Sequence, residues 1–302
     1  MKIDTLILSG ASTKAPIYIG IFRYLYENNI LDKELTGINH IVCCSISMLF
    51  SFYILLELDI DIIEACVLNA CFENALDIDN FDIKDIFDHF GLFSNDIVST
   101  LIKNLIREKF NKDDLTLKEL YEIKPILLSV KCANITKGCI EYINKDTNPE
   151  ISIITLFKMT TAIPFMFKPI KYDGCYYVDG GLTGGYPVEF ADHNYLGIWI
   201  RGSDWDVKDE IKDIFEFITK LNCIKPYNID HLDNKRTIVY KVNLHFSEFS
   251  VDKKLKQDMI TDGYKLTKAH IEDYKLTNDL FNTESSTNQH HEDTDPTSAD
   301  PC

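Results

Sequence analysis

The sequence predicts an α/β fold, a three-layer sandwich around a mostly parallel central sheet. Two features near the start of the chain support this prediction. The short apolar segment 4–8 reads as a strand and is followed by a helical pattern that begins at Pro16. A second strand pattern, Ile38–Cys43, leads directly into the apolar helical run Met48–Leu58. Strands that alternate with helices in this way form βαβα units, whose strands pair in parallel.

The rest of the chain continues the alternation. Residues 59–124 carry helical patterns, with Thr116 and Glu119 at the spacing of a capping box. Two strand patterns around Thr136–Gly138 predict a hairpin, and Asp173-Gly174 predicts a second hairpin turn. The other predicted elements are a helix at 152–161, strands at 195–200 and 237–242, a helix at 211–221, and a long helix from a Ser250 cap to about His270.

Length and composition set the domain organisation. A chain of 302 residues with 45% hydrophobic side chains can bury one large core. We assign residues 1–282 to a single domain. Residues 283–302 are polar and acidic, contain Pro and lack apolar periodicity, which predicts a disordered tail.

Charge and cysteine content narrow the functional classes. The net charge of -16 argues against nucleic-acid binding and against simple electrostatic adsorption to anionic lipid. The nine cysteines are odd in number and lack metal-type spacing, and the chain opens without a signal-peptide pattern. The longest apolar run, Met48–Leu58, is too short to span a bilayer. We therefore expect a reduced, intracellular, cytoplasmic protein, peripheral to membranes at most, with no metal site.

A serine stands between the second predicted strand and its helix. A sharp strand-to-helix turn centred on a serine, here Ser45, is the layout of a nucleophile elbow. The usual elbow has glycine two residues before and two residues after the serine, where this chain has Cys43 and Ser47. Taken alone, this stretch favours an ordinary buried connection that contains a serine.

Two other stretches can bring polar groups to the same place. The first strand ends in a loop of small residues, 9–14, whose backbone N–H groups can bind an anion. Asp179 ends a later strand and is followed by Gly180 and Gly181, so its carboxylate can approach another segment. The alternative for Asp-Gly-Gly is a plain turn.

Together these three stretches resemble the patatin-like phospholipase family. Residues 9–20 line up with the family's S-G-G-G-x-K-G…G stretch, and residues 162–188 with its A-x-P-x-x-F-x-P…DG…DGG…PV framework. Ser45 lies at the position of the family nucleophile and Asp179 at that of its partner. Asp262-Gly263-Tyr264 is similar to the Gly-Tyr of the closing helix, so the likeness covers roughly residues 4–270.

The resemblance implies a lipid acyl hydrolase of the phospholipase A type, acting through a Ser–Asp dyad and an acyl-enzyme. Asp179 would accept the proton of Ser45, and the N–H groups of Gly10, Ala11 and Ser12 would hold the oxyanion. The implied partner is a phospholipid or another acyl-ester lipid, met by transient contact with a membrane surface. No cofactor is implied.

This chain departs from the family pattern at two loop glycines, which are Ala11 and Ser12. A Cβ at a position of positive φ costs about 1 kcal/mol, and losing one oxyanion donor costs roughly a hundred- to a thousandfold in rate. We expect glycine at both positions to raise hydrolysis by roughly ten- to a thousandfold.

Two alternatives remain open. One is a pseudoenzyme of the same fold that binds a lipid or protein without turnover. The other is an esterase for small soluble esters with a full triad, completed by one of the late histidines, which are His193, His231, His245 and His270.

Overall fold

The computed structural model describes residues 3–70, 84–190, 194–202, 236–242 and 251–276. The strands are β1 (Thr5–Leu8), β2 (His40–Cys44), β3 (Gly91–Phe93), β4 (Leu127–Asn134), β5 (Cys139–Ile143), β6 (Phe165–Phe167), β7 (Ile170–Tyr172), β8 (Cys175–Asp179), β9 (Tyr195–Gly202) and β10 (Thr237–Val242). The helices are α1 (Ile17–Glu27), α2 (Ser47–Leu55), α3 (Ile60–Asn69), α4 (Lys84–His89), α5 (Asp96–Phe110), α6 (Leu117–Ile123), α7 (Ile153–Thr161) and α8 (Lys253–Leu276).

Eight strands form the central sheet. Their order is β10-β9-β1-β2-β4-β8-β7, with β5 paired to the other side of β4. The neighbours from β10 to β4 are all parallel, whereas β5 and β8 run antiparallel to β4. The α/β fold with a mostly parallel central sheet is therefore confirmed.

The two faces of the sheet are covered differently. Alternate residues of the strands, such as Leu6, Ile41 and Val130, are buried in the same core as the helices. On the opposite face, Ile7 packs with aromatic residues of the chain that follows β8, including Tyr186. Because both faces are covered, the parallel strands can be buried throughout, as all four residues of β1 are.

Helices α1 and α8 cross at two glycines. A Cβ added at Gly20 would lie 1.9 Å from the carbonyl oxygen of Ile260, and one added at Gly263 would lie 2.3 Å from that of Ile17. These distances are far below van der Waals contact, so neither position can hold a larger residue unless the helices move apart. The C-terminal helix therefore packs closely against the helix that follows the loop 9–14.

Most predicted elements are present. The capping box of Thr116 and Glu119 is formed, and Asp173-Gly174 joins β7 to β8 with positive φ at both residues. The predicted all-helical region 59–124 is wrong at β3, which pairs in parallel with β6. Helix α8 also runs six residues past the predicted His270.

Some predictions lie outside the described residues. These are the helix at 211–221, the Ser250 cap and the tail at 283–302. The extent of the domain, residues 1–282, stays a prediction. Within the described ranges, no helix combines the length and apolar character needed to cross a membrane.

Candidate active site

Two strands meet end to end along one edge of β4. β2 runs parallel to β4, and its last residue, Cys44, pairs with Lys131. β8 runs antiparallel, and its last residue, Asp179, pairs with the next position, Cys132. Since β5 occupies the opposite side of β4, β2 and β8 share one side and their carboxyl ends face each other. Ser45, which directly follows β2, is thereby brought close to Asp179.

Ser45 occupies a strained backbone conformation. Its φ of 61° lies in the left-handed region, and α2 begins two residues later at Ser47. A side chain at such a φ costs about 1–2 kcal/mol, and strain of this kind concentrates at functional sites. The turn is that of a nucleophile elbow, although both glycines of the usual motif are absent.

The serine and the aspartate are in direct contact. The Oγ of Ser45 donates a hydrogen bond to Oδ2 of Asp179 at 2.6 Å, within the range expected for a nucleophile and its base. The other carboxylate oxygen, Oδ1, accepts from the backbone N–H of Gly181 at 2.7 Å. Both side chains are buried. The Asp-Gly-Gly turn therefore orients the carboxylate, with one oxygen held by its own loop and the other facing the serine.

Cys44 lies against the same carboxylate. Its Sγ is 3.8 Å from Oδ1 of Asp179. Burial, together with the negative charge of Asp179, raises the pKa of the Cys44 thiol well above its usual value. A thiol held protonated in this way is a poor nucleophile, and Cys44 is fully buried, so we interpret it as a small packing side chain.

Ser47 replaces an elbow glycine with a hydrogen-bonding group. Its Oγ accepts from the N–H of Cys44 at 3.1 Å. The same hydroxyl lies 2.7 Å from the carbonyl oxygen of Cys44 and 3.1 Å from that of Leu8, so its proton can go to either. Ser47 is fully buried and connects the elbow to the end of β1.

The loop after β1 approaches the elbow at Gly10. A Cβ there would lie 3.3 Å from Cβ of Ser45, tighter than most packed contacts, so glycine permits the close approach. The N–H of Gly10 donates to the carbonyl oxygen of Gly185 at 2.8 Å. This amide is therefore engaged within the protein.

The two replaced glycines of this loop differ from each other. Ser12 has a φ of 50°, as expected for a former glycine position, whereas Ala11 has a φ of -132°. The expectation that a side chain opposes the loop conformation is therefore right at Ser12 and wrong at Ala11. Within the described part of the chain, neither residue's N–H has an acceptor. Of the three amides that the sequence predicts as oxyanion donors, these two are therefore the ones not engaged by another described residue.

The family assignment follows from a match over more than half of the chain. The family model for the patatin-like phospholipases matches residues 6–192, which include most of β1, the elbow and the Asp-Gly-Gly turn. The chain belongs to the patatin-like phospholipase family. The family resemblance noted in the sequence is thus confirmed.

Two viral proteins are similar to this patatin-like chain. The protein named "Probable lipid hydrolase 463L" of Invertebrate iridescent virus 6 is 27% identical over 205 residues, covering 67% of each chain. The protein named "Uncharacterized protein R571" of Acanthamoeba polyphaga mimivirus is 22% identical over 288 residues, covering 89% of this chain and 94% of the other.

Two solved structures share the fold. VipD from Legionella pneumophila superposes with a TM-score of 0.62 at 15% identity, covering 91% of this chain and 67% of VipD. The type III effector ExoU gives a TM-score of 0.51 at 11% identity, with 91% of this chain and 54% of ExoU covered. This patatin-like chain therefore spans about half the length of ExoU.

One residue of the site was not predicted from the sequence. The backbone N–H of Ser45 donates to Oγ1 of Thr160 at 2.8 Å, and that hydroxyl donates to the carbonyl oxygen of Lys131 at 2.9 Å. Thr160 is fully buried near the end of α7. The sequence feature that could have identified Thr160 is its hydroxyl among the apolar residues of α7, just before the Ala-x-Pro of the family framework.

The histidines of the triad hypothesis are only partly described. His193, His231 and His245 lie outside the described residues, and His270 lies on α8. An earlier histidine, His40, is within hydrogen-bond distance of Ser129, 2.9 Å from Nε2 to Oγ.

Proposed function

We propose that this patatin-like protein is a lipid acyl hydrolase of the phospholipase A type, a serine carboxylic-ester hydrolase. One observation carries the proposal: the 2.6 Å hydrogen bond from Ser45 Oγ to Asp179 Oδ2, at an elbow where Ser45 has a φ of 61°. Membership of the patatin-like phospholipase family and similarity to a viral protein named as a lipid hydrolase support the substrate class.

In the first half of the reaction, Ser45 Oγ attacks the ester carbonyl carbon while its proton passes to Oδ2 of Asp179. The carbonyl oxygen becomes an oxyanion, which the N–H groups of Ala11 and Ser12 stabilise. When the tetrahedral intermediate collapses, the ester C–O bond breaks and Asp179 returns the proton to the leaving alcohol or lysolipid. The fatty acyl group is then esterified to Ser45.

In the second half, water attacks the acyl-enzyme. Asp179 accepts a proton from the water, and the same two amides stabilise the second oxyanion. Collapse breaks the bond to Ser45 Oγ, which takes the proton back, and the fatty acid leaves. The N–H of Gly181 keeps Oδ1 of Asp179 in place, so that Oδ2 serves as the proton acceptor in both steps.

Exposed aromatic side chains support transient contact with a lipid surface. Phe165 and Tyr176 are partly exposed, and both lie close in sequence to residues that contact or form the Ser45–Asp179 pair. Tyr176 precedes Asp179 by three residues on β8. Phe165 follows Ala162 by three residues, and the carbonyl of Ala162 accepts a hydrogen bond from the N–H of Asp179. The exposed ring of Phe90 lies 6.5 Å from that of Tyr176. Aromatic rings favour the interface between water and lipid.

A second function is favoured by the hydrogen bond between Gly10 and Gly185. Because it engages one of the three loop amides, the protein would stabilise an oxyanion with two donors. Loss of a donor slows such enzymes by roughly a hundred- to a thousandfold. The corresponding hypothesis is a patatin-fold protein that binds a lipid with little or no turnover.

Fluorophosphonate labelling tests the proposal. The wild type is expected to react, and Ser45→Ala to be inert. Ser51→Ala is the matched control, because Ser51 is another fully buried serine, on α2, whose hydroxyl donates to the Ser47 carbonyl. Asp179→Asn is expected to react about a hundredfold or more slowly, since it removes the general base.

Hydrolysis of a medium-chain p-nitrophenyl ester should follow the same order. A wild type inert to both reagents would leave only the lipid-binding hypothesis. Labelling that persists in Ser45→Ala would refute Ser45 as the nucleophile. Loss of activity on replacing His193, His231, His245 or His270 by Gln would instead identify a triad.

A further inference from the structure

We infer that Thr160 is a positioning residue that holds the backbone of Ser45 in the elbow conformation. Its importance for catalysis rests on the proposed function, whereas its effect on the backbone does not. Thr160 is fully buried. Its hydroxyl bonds to two backbone groups, the N–H of Ser45 in the turn after β2 and the carbonyl of Lys131 on β4.

The hydroxyl lies where β2 diverges from β4. Cys44 is the last residue of β2 that pairs with β4, and its partner is Lys131. The next amide, that of Ser45, bonds to Thr160 Oγ1 at 2.8 Å, and Thr160 Oγ1 bonds to the carbonyl of Lys131 at 2.9 Å. The hydroxyl thus continues the link between the two strands at the first position where they no longer pair.

Only a hydroxyl can make this link. The Ser45 N–H needs an acceptor and the Lys131 carbonyl needs a donor, and the hydroxyl oxygen of Ser or Thr is a strong acceptor and a strong donor at a single atom. Because Thr160 is fully buried, water cannot replace it without a rearrangement. Valine has nearly the same shape as threonine but would leave both backbone groups without this partner.

The backbone link determines where the nucleophile lies. At a φ of 61°, Ser45 is in a conformation that the chain avoids unless its surroundings impose it. The Thr160 bond is made to the amide of this same residue. Without it, Ser45 can turn towards an unstrained φ, which would move its Oγ away from the 2.6 Å contact with Asp179. A misplacement near 1 Å costs about a hundredfold in rate.

The test compares Thr160→Val with Thr160→Ser. The valine variant should lose about ten- to a hundredfold in kcat and in the rate of fluorophosphonate labelling, with KM within about twofold, because positioning acts on the reacting atom. The serine variant keeps the hydroxyl and should recover to within about threefold of wild type.

Thr161→Val is the matched control for burial and for loss of a hydroxyl. Thr161 is the neighbouring residue and is also buried, but its Oγ1 bonds to the carbonyl of Phe157 within α7. The Thr161→Val variant should keep kcat within about twofold of wild type, even if its melting temperature falls as much as that of Thr160→Val. If Thr160→Val does not fold, Thr160→Ala against Thr160→Ser gives the same contrast.

Hydrogen exchange separates this inference from the proposed function. The Ser45 amide should exchange faster in Thr160→Val than in wild type or Thr160→Ser, at a pH and temperature where all three are folded. Faster exchange supports the link even if wild type proves inert to the fluorophosphonate. Unchanged exchange, or equal labelling rates for the valine and serine variants of an active protein, would overturn the inference.

Discussion

The elbow and the loop after β1 have each lost two glycines of their family pattern, yet they accommodate the loss in different ways. At the elbow, neither Cys43 nor Ser47 has a positive φ, and the Ser47 hydroxyl bonds to the N–H of Cys44. In the loop, Ala11 likewise has an ordinary negative φ, but Ser12 keeps the left-handed conformation at 50°.

The difference shows that replacing a glycine has no fixed conformational or steric cost. The cost depends on the φ that the fold imposes and on the space that a Cβ would enter. Three of the four replacements occupy positions without a positive φ, and one of these, Ser47, adds hydrogen bonds that glycine cannot make. The strain of the elbow is instead concentrated at Ser45 itself.

The largest effect should come from restoring the elbow glycine. Ser47→Gly removes a fully buried hydroxyl and leaves the N–H of Cys44 without that acceptor, which should lower the free energy of unfolding by about 1–3 kcal/mol. Chemical denaturation measures the change. Ser51→Gly on the same helix is the control, because it carries the cost of glycine in a helix, about 0.5–1 kcal/mol. A Ser47→Gly variant as stable as wild type would contradict the structural role of this hydroxyl.

A smaller effect is expected at the glycine that the loop retains. Gly10→Ala would place its Cβ 3.3 Å from Cβ of Ser45, so the nucleophile has to shift by a few tenths of an ångström. Labelling by fluorophosphonate should slow by about three- to tenfold. Gly185→Ala is the control on the segment that faces Gly10, since its Cβ would meet Gly10 at an ordinary 3.6 Å or more. Equal slowing in both variants would count against the steric argument.

The smallest effects should come from the two replaced loop residues. Ser12→Gly relieves a positive φ and Ala11→Gly does not, so the first variant should be more stable than the second by about 1 kcal/mol. Because Ser12 already holds the left-handed conformation, activity should stay within about threefold of wild type in both. This threefold limit replaces the roughly ten- to thousandfold rise in hydrolysis that the sequence predicted for glycine at these two positions. A tenfold rise in Ala11→Gly alone would show that φ is not the controlling variable.

The sequence was sufficient to predict most strands and the proximity of Ser45 and Asp179. Strand and helix periodicity is local, and the stretch 162–188 is specific enough to place Asp179 as a partner of Ser45. The 2.6 Å contact between Ser45 Oγ and Asp179 Oδ2 agrees with this placement.

What the sequence could not predict depends on contacts between distant segments. The end-to-end meeting of β2 and β8 is set by the pairing of each with β4, and the bond from Gly10 to Gly185 closes a loop across most of the domain. Thr160 is a single hydroxyl in a helix, a pattern that many buried helices share. β3 is only three residues long, too short to show a period of two.

The central position of β1 has a consequence for synthesis of the protein. Leu8 pairs with Cys43 on one side and with Ile198 on the other, so β1 lacks its second neighbour until about 190 further residues have been made. At a translation rate of about 5–20 residues per second, this apolar strand would present an open edge for roughly 10–40 seconds. The loop that carries Gly10 follows β1 directly, so the site would be completed late on the ribosome. In a cell, this protein should therefore depend on chaperones during synthesis more than a protein whose first strand lies at the edge of its sheet.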